Sequence, residues 1–142
     1  MNAKPKVLVV DDDSDVVEQL TLALSAEGYD VVSADSQRQA EEMILSARPD
    51  LAVVDLMMEQ MDSGFVLCHG LKKLYPDVPV ILLTAVTSQT GLSFAASSPE
   101  AQSWVKADKV LDKPVRAEQI RAEARRLLKR TGAPQPAVEA HH

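Results

Sequence analysis

Val7-Leu8-Val9-Val10-Asp11-Asp12-Asp13 is the stretch on which the fold turns. Four apolar residues, three of them β-branched, run without a break into three carboxylates. A short continuous apolar run is the signature of a strand buried on both faces. The same grammar recurs along the chain. Tyr29 to Ala34 reads as a second strand, Leu51 to Val54 as a third ending at Asp55, and Val80 to Leu83 as a fourth ending at Thr84. Val110-Leu111 is a weaker fifth, running into Asp112-Lys113-Pro114.

Amphipathic segments separate these runs. Ser14 or Asp15 serves as a helix cap, Asp15 and Glu18 having capping-box spacing, and Val17, Leu20 and Leu24 follow on one face up to Gly28. Ser36 and Gln39 repeat the cap signal before Ala40, Met43, Ile44 and Ala47. Gly64 to Leu74 presents Leu67, Leu71 and Leu74 on one face, with Pro76 and Pro79 bracketing the turn beyond. Val115 to about Lys129 presents Ala117, Ile120, Ala124 and Leu127, and Gly132 ends it. Strands alternating with helices at this spacing imply βαβ units and a doubly wound parallel sheet. The rhythm breaks only between Val86 and Ala107, where Ser, Thr and Ala dominate and Pro99 to Val105 is long enough for a short helix.

Composition bounds the function. The chain has 142 residues, 46% hydrophobic and 25% charged, which suits one soluble domain. Its one cysteine, Cys68, excludes a disulfide framework or a zinc-finger ligand set and fits a reducing cytosol, where the residue acts as a small buried hydrophobe. No apolar run is long enough to span a membrane, and Met1 to Lys6 lacks a signal-peptide core. A net charge of -6 argues against gripping nucleic acid, and the basic last helix (Arg121, Arg125, Arg126, Lys129, Arg130) reads as a solvated face. His69 reads as exposed and Trp104 as a packing residue.

In open parallel sheets, ligands bind beyond the carboxyl ends of the strands. With strand order 2-1-3-4-5, the first and third strands are neighbours and Asp11, Asp12 and Asp55 converge. Crowded carboxylates resist ionising together unless a cation intervenes. Mg²⁺ is the natural choice, since it takes one or two carboxylates and keeps waters. Lys113 adds a compact cation and Thr84 a hydroxyl. A carboxylate nucleophile, charge neutralisation and positioned donors are what phosphoryl transfer to an aspartate needs.

Residues 7–13, Asp50 to Met58, Leu82-Leu83-Thr84-Ala85 and Leu111-Asp112-Lys113-Pro114 together resemble the receiver domain of bacterial response regulators. The resemblance runs from about Lys4 to Arg130, leaving 131–142 as a flexible tail in which His141-His142 look like tag residues. It implies a flavodoxin-like fold, in which the Ser-, Thr- and Ala-rich stretch between Val86 and Ala107 reads as an irregular, lengthened segment in place of a full fourth helix. It implies that Asp55 is the phosphoacceptor and that Asp11, Asp12 and the backbone carbonyl of Met57 hold Mg²⁺ with it. Thr84 becomes the switch hydroxyl and Lys113 its partner cation, with a cis Lys113-Pro114 bond. The implied donor is a sensor histidine kinase or phosphotransfer protein in the cytoplasm. A downstream protein or a phosphorylation-dependent dimer reads the output, without nucleic acid or membrane contact and without turnover of an external substrate. No effector domain follows Arg130, so a single-domain regulator or a piece of a longer chain is expected.

Four positions depart from the family pattern. Glu59 replaces a common Pro, Asp62-Ser63-Gly64 carries an extra residue, Val110 replaces a common Tyr or Phe, and the span from Thr84 to Lys113 is long. Met57 and Val86, flanking the path of an attacking water, are apolar, so slow self-dephosphorylation is expected. Readout is expected from the Val86 to Ala107 segment, anchored by Phe94 and Trp104. Two rivals differ in class. One is a degenerate receiver that only binds partners. The other is a haloacid dehalogenase-type phosphatase, whose Asp-x-Asp arrangement with a following Thr is matched only loosely by Asp11-Asp12-Asp13-Ser14-Asp15, with no cap insertion.

Overall fold

The structure is a computed structural model that describes residues 4–56, 63–85 and 107–131. Strand β1 (Lys6–Val10) leads to helix α1 (Ser14–Ala26), then β2 (Asp30–Ala34), α2 (Gln37–Ser46), β3 (Leu51–Asp55), α3 (Ser63–Leu74), β4 (Val80–Ala85), β5 (Lys109–Lys113) and α4 (Ala117–Thr131). The strands pair in parallel in the order β2-β1-β3-β4-β5, as the rhythm of the sequence predicts. The expected irregular segment lies outside the described residues, except that Ala107 packs on the core. Among the described residues no helix is long and apolar enough to cross a membrane.

Side chains alternate across each strand. Val7, Val9, Leu51, Val53, Ile81 and Leu83 join one apolar layer, which α1 and α4 cover with Leu20, Leu24, Ile120, Ala124, Leu127 and Leu128. Leu8, Val10, Ala52, Val54, Val80 and Leu82 join the other, covered by α2 and α3 through Ala40, Ile44, Leu67, Cys68 and Leu71. Every residue of β3 is buried, which is why its sequence shows no polar alternation. Burial of each large aliphatic side chain contributes roughly 1.5–3 kcal/mol. Those contributions fix the sheet on which the strand ends are held.

Helix ends follow local chemistry. Asp13, rather than Ser14 or Asp15, is the N-cap of α1, and its side chain accepts from the Asp15 amide at 3.0 Å. At the other end, Gly28 (φ 94) reverses the chain while its amide bonds Ser25 and the Tyr29 amide bonds Leu24, closing a Schellman motif. Ser36 caps α2 as predicted, accepting from the Gln39 amide, and Gln39 Oε1 reaches back to the Asp35 amide. Three expected inward residues point outward. Ala47 has left α2 for an extended conformation, Ala117 begins α4 beyond the core, and Leu74 is 47% exposed. Tyr75 fills the place expected for Leu74, packing on the core while its hydroxyl donates to the Ile44 carbonyl at 2.6 Å.

Candidate functional site

Only three polar side chains among the described residues are fully buried: Asp11 (1% exposed), Asp55 (5%) and Thr84 (4%). They stand at the carboxyl ends of β1, β3 and β4, adjacent strands of the sheet. Pairing of Val10 with Val54 sets Asp11 beside Asp55, and pairing of Asp55 with Leu83 sets Thr84 one residue further along β4. The apolar strands fix these positions, and burial of a charge without a partner is costly enough to require one.

Lys113 is that partner. Its Nζ stands 2.8 Å from Asp11 Oδ2 and 3.2 Å from Asp55 Oδ1. β5 delivers it, because Lys113 pairs with Ala85 one step beyond Thr84 and Asp112. The following Lys113-Pro114 bond is cis. The other oxygen of Asp11 accepts the Asp13 amide at 2.9 Å. Asp11 is therefore held at both oxygens.

One oxygen from each of Asp11, Asp12 and Asp55 lies within 4.8 Å of the others. Oxygens around an octahedral ion at about 2.1 Å stand roughly 3–4 Å apart, so modest carboxylate rotation brings this set onto a divalent ion. Asp12 is exposed, and a cleft of ≈ 350 Å³ lined in part by Asp11, Asp12, Ser14 and Asp35 opens beside the pair. Hard oxygen donors, partly open to water, fit Mg²⁺ well.

Electrostatics mark Asp55 apart. Burial first, then the neighbouring charge of Asp11, push its carboxyl up to about 6, against the opposing pull of Lys113. Burial alone would lower Lys113, but Asp11 and Asp55 outweigh it and hold the ammonium above its usual value. One cation thus pairs with two of three neighbouring carboxylates, and the site carries unbalanced negative charge.

Asp11, Asp12, Asp55 and Lys113 are drawn together, and Thr84 ends the adjoining strand. Met57, Glu59, Val86, Phe94 and Trp104 lie outside the described residues. Val110 is partly buried against the layer covered by α2 and α3. Three residues escaped the sequence reading. Gly64 packs its backbone against Asp55 and Leu56. Asp50 and Asp108, each one residue before a strand, accept from the first amide of the neighbouring strand: Lys6 to Asp50 Oδ2 and Val80 to Asp108 Oδ2, both at 2.8 Å. The available signal was the position of Asp50 immediately ahead of the apolar run from Leu51, a signal that Lys109 blurs at Asp108.

The description of the response regulator receiver domain matches residues 7–125. Response regulator MprA of Mycolicibacterium vanbaalenii is 40% identical over 126 residues, covering 89% of this chain and 51% of the relative. The MprA of Mycobacterium bovis is 39% identical over 135 residues, covering 95% and 55%. The chain spans about half the length of these curated relatives. A putative response regulator from Chloroflexus aurantiacus superposes with a TM-score of 0.75 at 27% identity, covering 89% of this chain and 99% of its own. A CheY-like receiver domain protein from Methanospirillum hungatei shares the fold at a TM-score of 0.76 and 22% identity, covering 92% and 98%.

Proposed function

The chain belongs to the response regulator receiver domain family of two-component systems, and from that premise we propose that Asp55 accepts a phosphoryl group from a phosphohistidine. The donor in this reading is a sensor histidine kinase or a phosphotransfer protein, met in the cytoplasm. An Asp55 oxygen forms the new O–P bond as the P–N bond of the donor breaks, and the imidazole nitrogen keeps the electron pair and takes a proton from water. Asp11, Asp12, Asp55 and the backbone carbonyl of Met57 would hold Mg²⁺, which would supply charge neutralisation for the phosphoryl oxygens. Lys113 contributes a second cation and Thr84 a hydroxyl donor. The chain turns over no external substrate. Aspartyl phosphate shifts a two-state equilibrium that changes a protein-binding surface.

The observation that carries this reading is the coincidence of burial and convergence. The three fully buried polar side chains among the described residues end three adjacent strands, with Lys113 bridging two of them. Intact mass after incubation with acetyl phosphate and Mg²⁺ tests the proposal. A single phosphoryl adduct is expected in the wild type and none in Asp55→Asn. An adduct persisting in Asp55→Asn overturns the assignment. Asp12→Ala is expected to lose both metal binding and the adduct.

A further inference from the structure

The first turn of α3 lies unusually close to the strand that bears Asp55. Gly64 donates its amide to the Leu56 carbonyl at 2.8 Å. A Cβ at Gly64 would stand 2.5 Å from Leu56 Cα, 2.9 Å from the Leu56 carbonyl oxygen, and closer still to the carbonyl oxygen of Asp55 itself. All three atoms are backbone, so no side chain can swing aside to make room. The β3–α3 junction would have to open by about 1 Å to reach ordinary van der Waals distance. Gly70, on the same helix, meets nothing within 4 Å.

The other side of the junction is pinned. The Leu56 amide donates to the Leu83 carbonyl of β4 at 2.8 Å. Leu56 is thus gripped at its amide by the sheet and at its carbonyl by the helix, immediately after the acceptor and immediately before Met57. A clamp at this point sets the direction in which the chain leaves Asp55. We infer that Gly64 is a positioning residue: its missing side chain lets α3 seat against β3 at Asp55 and Leu56 and so fixes the Asp55 carboxylate for metal binding. This rests on the reading of Asp55 as a metal-dependent acceptor.

Gly64→Ala tests it, with Gly70→Ala as the control on the same helix. Mg²⁺ alone is the first probe, its affinity measured by calorimetry. The rate of adduct formation from acetyl phosphate is the second. A displacement near 1 Å in a catalytic constellation costs on the order of 10- to 100-fold. A loss of that size is therefore expected in both quantities for Gly64→Ala, with helical content retained and Gly70→Ala within about twofold of wild type. Affinity and rate within about twofold of wild type in folded Gly64→Ala overturn the inference. Should Gly64→Ala fail to fold, the wild type decides. The Gly64 amide resonance, sitting on the clamp, is expected to shift on titration with Mg²⁺, and an unmoved resonance beside shifting Asp12 and Asp55 signals overturns the inference. If wild type binds no Mg²⁺ and accepts no phosphoryl group, the underlying reading falls and this one with it. A wild type that does both while Gly64→Ala matches it leaves the acceptor reading intact and removes only the positioning role.

Discussion

The two ends of the sheet each hold partly or fully buried carboxylate, and they balance its charge in opposite ways. At the carboxyl end, Asp11, Asp12 and Asp55 converge while Lys113 pairs with only Asp11 and Asp55, and Asp55 is pushed up to about 6. At the amino end, the single carboxylate of Asp108 is served by Lys72 at 2.7 Å, Arg130 at 2.6 Å and the Val80 amide at 2.8 Å. Burial there would raise Asp108, but those three donors outweigh it and hold it below its ordinary value. An over-served acid joins α3, β4 and α4 and acts as a fastener. An under-served cluster keeps unmet affinity for cations, which a fold retains where chemistry needs it.

That contrast breaks most visibly in phosphoryl acceptance. Asp55→Asn is expected to abolish the acetyl phosphate adduct completely, whereas Asp108→Asn leaves it intact, as read by mass. Stability should invert the ranking. Asp108→Ala strips partners from two cations and an amide, and is expected to cost about 2–3 kcal/mol in denaturant unfolding. Equal stability in that variant would show that Asp108 fastens nothing.

Much of this was legible before any coordinates. Continuous apolar runs such as Leu51 to Val54 announced strands buried on both faces, and the polar residue closing each run marked the crevice. What escaped depended on contacts across the chain. Nothing local tells that Asp108 meets Lys72 and Arg130, because those partners lie 36 and 22 residues away. Asp13 caps α1 one residue ahead of the start that the capping-box spacing of Asp15 and Glu18 suggested. Leu74 satisfied the helical period and was still displaced, since Tyr75 had a carbonyl on α2 to reach. The close approach of Gly64 is likewise a property of where α3 lands, which periodicity does not encode.

The electrostatic contrast also predicts a smaller effect of opposite sign. A carboxyl raised in the folded state binds more protons there than in the unfolded chain, so stability falls as pH rises from about 4 to about 6. Without Mg²⁺ at neutral pH, Asp55→Asn is therefore expected to gain roughly 1–3 kcal/mol over wild type. The gain should shrink as pH falls toward 4, in urea unfolding followed across that range. Asp108 runs the other way, its contribution present above the ordinary carboxylate range and lost as pH falls through its lowered value. A destabilised Asp55→Asn at neutral pH would mean that the ion pair with Lys113 outweighs the crowding.

The smallest effect separates the glycines of α3. Gly70 is exposed in the helix interior with open space where a Cβ would go. Alanine there restricts the unfolded backbone and favours the helix, so Gly70→Ala is expected to stabilise by about 0.5–1 kcal/mol. Helix propensity alone would grant Gly64→Ala a gain of the same sign. The backbone of Asp55 and Leu56 stands in the way, and a loss is expected instead. The difference between the two variants, measured in one denaturant series, isolates the close approach because the substitution and the helix are the same. If both gain equally, the junction yields without cost, and the clamp on Asp55 is looser than the packing implies.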